Sequence, residues 1–173
     1  MVMERQRRKD PSKNLVECVL GAVRYAVGIG AVREIVNPLP TVELPSAPSW
    51  VIGVADYRDE VVPVIDLRMR FGLAKTVSTP RTKWIVVRHK EVSFALVVDA
   101  VTEVFRSGEM KPAPMLHEGA DVRALEGVTS HDEEMVFVLD VARLAELVDP
   151  KLAEQVEQAA SRTSPPPPPR GLA

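Results

Sequence analysis

The stretch that decides the fold is VIGVADYRDEVVPVIDLR, residues 51–68. Two apolar runs are separated there by the charged pair Asp59-Glu60, a pattern that predicts a β-hairpin with a polar tip. Arg58 is expected to project from this tip, where a guanidinium can bind a carboxylate or a backbone group of a partner. Asp66 follows the second run and predicts the capped start of a short helix, which Gly72 would end.

Short apolar runs separated by turn residues continue on both sides of this stretch. Val92, Phe94, Leu96 and Val98 alternate with other residues, so they are expected to share one face of a strand. No helix of roughly 10–15 residues is expected between strands before residue 141, which argues against a parallel α/β sheet. The predicted class is therefore all-β with short helices, the strands closing into two small barrels. Further hairpins are predicted from 14–20 with 23–29, 84–89 with 92–99 and 122–129 with 135–140, and short helices from 31–36 and after 141.

Composition and charge limit the classes of function. The chain has 173 residues, of which 46% are hydrophobic and 27% charged, so it can bury the core of one ordinary domain. A net charge of -2 gives no sign of the strongly basic face that nucleic-acid binding needs. The single cysteine, Cys18, excludes an intrachain disulfide, fits a reducing cytoplasm and is predicted to be buried and unreactive. Glu17 and Arg24 interrupt the first apolar run, so neither a signal peptide nor a membrane-spanning helix is expected.

Both ends of the chain are expected to lie outside the folded domain. Residues 1–13 form a basic stretch that predicts a flexible N-terminal arm. A helix is expected over 151–160. Residues 161–173 contain the run Pro165–Pro169, which adopts polyproline II and cannot join a core, so a disordered tail is predicted. A docking ligand for a proline-reading domain is the alternative interpretation of this tail.

The histidines and the common catalytic motifs give no sign of chemistry. None of His89, His117 and His131 has a second histidine or a cysteine at the spacing typical of metal ligands. We therefore expect no metal and no cofactor. The sequence contains no glycine-rich phosphate loop and no nucleophile elbow. We therefore expect no catalytic residues.

One acidic cluster keeps an enzyme open as an alternative. Asp56, Asp59 and Glu60 fall at a single turn, so paired carboxylates are conceivable there. General acid–base catalysis needs carboxylates held in a tuned environment, which an exposed hairpin tip does not provide. A structure in which these groups are splayed on an open surface without an adjacent cleft would eliminate this alternative.

The stretch 51–68 resembles the signature of the CheW-like chemotaxis coupling proteins. The family pattern is Gly-Val-x-Asn-Leu-Arg-Gly, followed by two apolar residues, proline, two apolar residues and Asp-Leu-Arg. Here the two elements read GVADYRD at 53–59 and VVPVIDLR at 61–68. Further matches follow in order over about residues 14–148, at Tyr25–Val27, Ala31–Val36, Leu39-Pro40, Ala47-Pro48, Ala95–Val104, Leu125–Val128 and Phe137–Asp140.

Three positions of the signature depart from the family pattern. Asp56, Tyr57 and Asp59 stand where the family has Asn, Leu and Gly. Glycine would adopt a positive φ at position 59 more readily than Asp59 does, so the tip is expected to bend differently. These departures suggest a divergent member tuned to a particular receptor or kinase.

The resemblance implies two intertwined, five-stranded barrels similar to Src-homology-3 barrels, with a hydrophobic groove between them. The domain would span 14–150, with barrel one over roughly 28–80 and barrel two over roughly 14–27 plus 81–150. It also implies a non-enzymatic, cytoplasmic adaptor, without direct membrane insertion, that couples chemoreceptors to a CheA-type signalling histidine kinase. The groove would hold the helical hairpin tip of a chemoreceptor. Apolar barrel surfaces would bind the kinase's own CheW-like regulatory domain and other CheW-like proteins, building mixed rings.

The resemblance also implies roles for individual residues. Receptor- or kinase-binding positions would be Val32, Glu34, Arg58, Val98 and Asp99. Core packing is the alternative for the two valines, and a solvated charge is the alternative for Glu34. A decoy that binds receptor or kinase, but not both, is the alternative function. Structural positions of the hairpin and the helix cap would be Gly53, Pro63 and Asp66.

Overall fold

The computed structural model describes residues 14–113 and 124–148, together with Glu154 and Gln158. Within these residues the chain forms ten strands and two short α-helices, so the predicted all-β class with short helices is confirmed. The strands are β1 (Asn14–Leu20), β2 (Val23–Gly28), β3 (Val32–Val36), β4 (Val51–Tyr57), β5 (Glu60–Asp66), β6 (Lys83–His89), β7 (Val92–Val98), β8 (Ala100–Arg106), β9 (Leu125–His131) and β10 (Glu134–Leu139). The helices are α1 (Leu67–Arg70) and α2 (Val141–Glu146).

Two predicted segments lie outside the described residues. These are the basic arm 1–13 and the Pro-rich tail 161–173. Of the predicted helix 151–160, Glu154 and Gln158 are described, and both are helical and exposed.

The strands form two five-stranded mixed sheets. Sheet 1 has the order β3-β6-β7-β5-β4, and sheet 2 has the order β8-β1-β2-β10-β9. Each sheet contains two antiparallel hairpins joined by one parallel pair, which is β5 with β7 in sheet 1 and β2 with β10 in sheet 2. The two sheets therefore have the same internal plan, as the expected pair of intertwined barrels requires.

The halves of the chain exchange hairpins to build these sheets. In chain order, β1 to β5 with α1 and β6 to β10 with α2 repeat one sequence of elements. The leading hairpin β1–β2 pairs into sheet 2, whereas the leading hairpin β6–β7 pairs into sheet 1. The predicted division put 14–27 and 81–150 together in barrel two, whereas the structure pairs β1 and β2 with β8 and β10 in sheet 2 and places the hairpin β6–β7 in sheet 1. The parallel pair of β5 with β7 holds this hairpin in sheet 1, and such a long-range pairing leaves no local mark in the sequence.

A shared core joins the two sheets. Phe94, Leu96 and Val98 are fully buried in it and Val92 packs against it, so the predicted strand face is confirmed. Alternate residues of the same strands enter a second cluster within sheet 1, for example Trp84 on β6 and Ala95 on β7. Strands that are buried on both faces read as nearly continuous apolar runs, which explains the composition of β6 and β7.

The predicted helix at 31–36 is wrong. A 3₁₀ helix covers Ile29–Ala31, and the residues from Val32 to Val36 form β3, which pairs antiparallel with β6. The segment is rich in β-branched residues, and its partly buried and exposed positions alternate. Both features favour a strand that packs with one face.

Gly53 and Pro63 have backbone roles in the hairpin of β4 and β5. The backbone of Val42 forms a bridge to Val54, in which each residue donates its N–H to the carbonyl of the other at 2.8 Å. A Cβ on Gly53 would collide with the carbonyl oxygen of Val42, so this approach requires glycine. Pro63 lies opposite Val54 in the hairpin, and both backbone groups of Val54 are hydrogen-bonded to Val42. The pairing of β4 with β5 therefore does not need an N–H at position 63, and proline is tolerated there.

Candidate partner-binding surface

The tip of the β4–β5 hairpin is a tight turn with two left-handed residues. Arg58 and Asp59 have φ values of 48° and 63°. The equivalent turn between β9 and β10 repeats this geometry at Asp132 and Glu133, with φ values of 48° and 64°. Two consecutive positive φ angles are typical of the type I′ turns that join adjacent strands, and side chains other than Asn, Asp and Gly adopt them at a cost.

Arg58 forms a two-pronged ion pair with Glu34 on β3. Its Nε donates to Oε2 at 2.9 Å, and its Nη2 donates to Oε1 at 3.1 Å. The hydroxyl of Tyr57 donates to the same Oε2 at 2.6 Å. Paired donors of this kind fix the plane of a guanidinium as well as its position. Arg58 nevertheless keeps 67% of its side chain exposed, so it is held in place and still accessible.

The pKa values in this group follow from these contacts. The Arg58 guanidinium, followed by the Tyr57 hydroxyl, lowers the pKa of Glu34. Hydrogen bonding to Glu34 raises the pKa of Arg58. Burial, followed by the neighbouring Glu34 carboxylate, raises the pKa of Tyr57. All three groups are therefore held in the ionisation states that the ion pair needs at neutral pH.

A second ion pair lies beside the first. Nη1 of Arg33 donates to Oε2 of Glu60 at 2.8 Å and to Oγ of Ser93 at 3.3 Å. The guanidinium carbons of Arg33 and Arg58 lie 5.5 and 5.8 Å from the centre of the Tyr57 ring. We call these residues the Glu34–Arg58 cluster: Arg33, Glu34, Tyr57, Arg58 and Glu60.

Sequence reasoning found only part of this cluster. Glu34 and Arg58 were assigned from the family resemblance, and the structure brings them together. Tyr57 was noted only as a departure from the family's Leu, although its ring is buried and its hydroxyl reaches Glu34. Because β4 alternates between buried and exposed positions near its end, an inward-facing tyrosine was the available signal for a polar partner.

Val32 and Ile35 are the apolar residues of β3 near this cluster. Val32 is partly buried and packs against the shared core, so only part of its surface is accessible. Ile35 is 39% exposed on the same strand, which is an outer strand of sheet 1. Partly buried and exposed positions alternate along β3, so Ile35 lies on the face opposite to Val32 and Glu34.

The other two predicted binding residues lie elsewhere. Val98 is completely buried in the shared core, so it offers no surface to a partner, and its assignment as a binding residue is corrected. Asp99 lies six residues beyond Ser93, about 20 Å at the rise of a strand, so it is far from the Glu34–Arg58 cluster. Asp99 is not part of that cluster.

Asp99 joins the two sheets. Its Oδ2 accepts from the backbone N–H of Gly21 and from Nη1 of Arg68, both at 2.7 Å. Gly21 belongs to the β1–β2 turn of sheet 2, whereas Asp99 follows β7 of sheet 1. A cleft of about 670 Å³ lies beside this junction, lined among others by Val19, Gly21, Arg68, Val77, Thr82 and Asp99.

Asp66 caps α1 and also holds the segment that follows the helix. Its Oδ1 accepts from the backbone N–H of Arg68 at 3.0 Å and of Met69 at 3.4 Å. Thr76 adds two bonds, from its backbone N–H to Oδ2 at 3.0 Å and from its hydroxyl to Oδ1 at 2.9 Å. These four donors compensate the complete burial of the Asp66 carboxylate.

The groups considered for catalysis do not converge. Asp56 and Asp59 are exposed, Glu60 is bound to Arg33, and none of the three lines the cleft. Burial raises the pKa of the Cys18 thiol to about 12, so Cys18 stays protonated in the core. In the described part of the chain, no helix has the length and apolarity that crossing a bilayer requires.

Comparisons with known proteins identify the family to which this fold of two five-stranded sheets belongs. Residues 14–149 match the model of the CheW-like domain. A chemotaxis protein CheW of Helicobacter pylori is 30% identical over 127 residues, which cover 73% of this chain and 77% of that protein. A chemotaxis protein CheW of Klebsiella aerogenes is 26% identical over 142 residues, which cover 81% and 86%.

A solved structure agrees with the sequence relatives. The crystal structure of the scaffolding protein TtCheW from Thermoanaerobacter tengcongensis superposes with a TM-score of 0.70 at 28% identity, covering 78% of this chain and 88% of that one. The chain therefore belongs to the CheW-like domain family. It is a non-catalytic scaffolding adaptor of the chemotaxis class.

Proposed function

We propose that this adaptor couples chemoreceptors to a CheA-type histidine kinase within a signalling array. One partner is the cytoplasmic helical hairpin tip of the receptor, and the other is the CheW-like regulatory domain of the kinase. The protein acts in the cytoplasm, and its weak contacts with several neighbours build mixed rings. The observation that carries the proposal is the Arg58–Glu34 ion pair, because it holds an accessible cation rigidly at the end of sheet 1.

The receptor contact is assigned to the surface around Arg58, Glu34 and Val32. A guanidinium that is already fixed by a carboxylate loses little conformational freedom when it binds a partner. Its remaining exposed surface suits a carboxylate or a backbone carbonyl on a helical hairpin.

The kinase contact is assigned to apolar residues on the outer strands. Ile35 on β3 is 39% exposed and Val104 on β8 is 54% exposed. The two strands occupy equivalent outer places in sheets 1 and 2, so each sheet offers one such contact. Small apolar contacts give modest and reversible affinity, which suits an array assembled from repeated weak interfaces.

The receptor assignment is tested with Arg58→Ala in a reconstituted receptor–kinase assay. The variant should fold normally and lower receptor-dependent kinase activity. Lys90→Ala is the matched control, since Lys90 is also an exposed cation with a positive φ at a hairpin turn. Equal coupling by the wild type and both variants would contradict the role of Arg58.

A decoy that binds only one of the two partners is the second candidate. The departures from the family signature at the hairpin tip favour a decoy, because Asp56 and Asp59 place additional acidic groups next to Arg58 in the sequence. Separate titrations with a receptor fragment and with the kinase regulatory domain distinguish the two functions. An adaptor binds both partners, whereas a decoy binds one.

A further inference from the structure

Three potential metal ligands meet in sheet 2, away from the Glu34–Arg58 cluster. They are Glu17 on β1, Glu103 on β8 and His131 on β9. One carboxylate oxygen of each glutamate and one ring nitrogen of His131 all lie within 4.8 Å of one another. The three strands are distant in the chain, so the fold itself assembles the group.

Glu17 is an unusual member of an apolar strand. It is 1% exposed, and its Oε1 accepts from the hydroxyl of Thr102 at 2.8 Å. Nη1 of Arg24 lies 3.5 Å from the same oxygen, but the Nε of Arg24 is bound more closely to Glu134, at 2.6 Å. The second oxygen, Oε2, is buried without a hydrogen-bond partner. A buried carboxylate oxygen without a donor is unfavourable, and a bound cation would compensate it.

His131 is positioned for ligation. Its Nε2 lies 3.0 Å from Oε1 of Glu103 and 3.5 Å from Oδ2 of Asp132. Its ring stacks on Phe105 with 4.1 Å between centroids, which restricts its orientation. Glu103 keeps about half of its side chain exposed, so an ion can reach the group from solvent.

We propose that Glu17, Glu103 and His131 bind a divalent transition-metal ion of the zinc type. One imidazole and two carboxylates are a ligand set that Zn²⁺ accepts, with a water molecule in the fourth position. Mg²⁺ prefers an all-oxygen, octahedral set, so it should bind poorly. Ligand atoms around tetrahedral zinc lie about 3.3 Å apart, so small side-chain movements suffice.

The surroundings fit this assignment. Thr102 orients the Glu17 carboxylate in the way that outer-sphere partners orient metal ligands. Asp132 lies on the adjoining turn and adds negative charge, which attracts a cation, while Glu134 binds the Nε of Arg24. A bound ion would link β1, β8 and β9 and so stabilise sheet 2. This proposal does not rest on the adaptor function.

The test is calorimetric titration of the full chain with Zn²⁺, with Mg²⁺ as the comparison ion. Glu103→Gln and His131→Gln should each weaken Zn²⁺ binding by roughly tenfold or more, and Zn²⁺ should raise the melting temperature of the wild type but not of these two variants. Glu34→Gln, at the equivalent place in sheet 1, and His89→Gln should leave the affinity unchanged.

Visible absorption of the Co²⁺ complex provides a second measurement. Intense bands typical of four- or five-coordinate cobalt should appear with the wild type and be absent with His131→Gln. Circular dichroism is the control that both proteins are folded. Absence of Zn²⁺ binding, or binding that persists in both site variants, would overturn the proposal.

Discussion

Tyr57 donates its hydroxyl to Glu34 at 2.6 Å and thereby ties β4 to β3, the two outer strands of sheet 1. Sheet 2 contains an equivalent contact, in which Nε2 of His131 on β9 lies 3.0 Å from Oε1 of Glu103 on β8. Neither pair of outer strands is joined as hydrogen-bonded neighbours within its sheet. Polar side chains therefore link the outer strands of each sheet.

We predict that Glu34→Gln destabilises the protein at neutral pH and that the effect shrinks in acid. The pKa of Glu34 is lowered from its ordinary value of 4.5, first by Arg58 and then by Tyr57. A carboxyl group with a lowered pKa stabilises the fold above its unfolded-state pKa, and this contribution is lost as the pH falls through the folded-state value. The unfolding free energies of wild type and variant, measured in urea, should begin to converge below the ordinary pKa and should meet below the lowered pKa of the folded state.

Glu91→Gln is the control for this pH series. Glu91 is exposed and lies 3.6 Å from Arg88, a weaker surface contact. The free energy of unfolding of Glu91→Gln should differ little from that of the wild type at every pH. A difference for Glu34→Gln that does not change with pH would contradict the proposed importance of the ion pair.

We predict that Asp66→Ala destabilises the protein by about 2–4 kcal/mol, because it removes a helix cap and two bonds to Thr76 from a fully buried site. Asp140 is the matched control, since it caps α2 through one bond, to the N–H of Arg143 at 3.1 Å. Asp140→Ala should cost about 1 kcal/mol. If thermal unfolding shows the same loss of stability for Asp66→Ala and Asp140→Ala, the bonds to Thr76 contribute nothing to stability.

We predict that Asp59→Gly stabilises the fold by about 0.5–1 kcal/mol, because glycine adopts a φ of 63° without the steric cost that a Cβ brings. Glu133 has a φ of 64° in the equivalent turn, so Glu133→Gly should give a gain of the same sign. Chemical denaturation measures both. A loss of stability in both variants would contradict the turn geometry.

The local features of the fold could be predicted from the sequence. The hairpin at 51–66 and the cap at Asp66 depend on residues close together in the chain, so their patterns were sufficient. The exchange of hairpins could not be predicted in full, because the pairing of Ile65 with Leu96 joins distant segments. The strand at 32–36 was predicted as a helix although its β-branched residues favour a strand, and its pairing with β6 joins segments that are distant in the chain.

The candidate sites were predictable to a smaller extent. The position of Arg58 at a tip followed from the hairpin pattern, but its partner Glu34 was assigned only through the family resemblance. Val98 was placed at a surface although its alternation with Phe94 and Leu96 already indicated the core. Glu17 was treated only as an interruption of an apolar run. A charged residue within such a run was the available signal for the cluster with His131.

We predict that Leu96→Ala costs roughly 2–5 kcal/mol of stability, because Leu96 is fully buried in the core shared by the two sheets. Val104→Ala, on an exposed position of an outer strand, should change stability by less than about 0.5 kcal/mol. Urea denaturation measures both changes. A small effect of Leu96→Ala would contradict the assignment of this face to the core.

Simultaneous binding of two partners is the central claim, and a three-component capture assay tests it most directly. A receptor hairpin fragment is immobilised, and capture of the kinase regulatory domain is measured with and without this protein. The proposed adaptor should recruit the kinase domain to the receptor, and Arg58→Ala should reduce that recruitment while Lys90→Ala does not. If the protein binds the receptor and the kinase domain only one at a time, or only one of them at all, the account is contradicted.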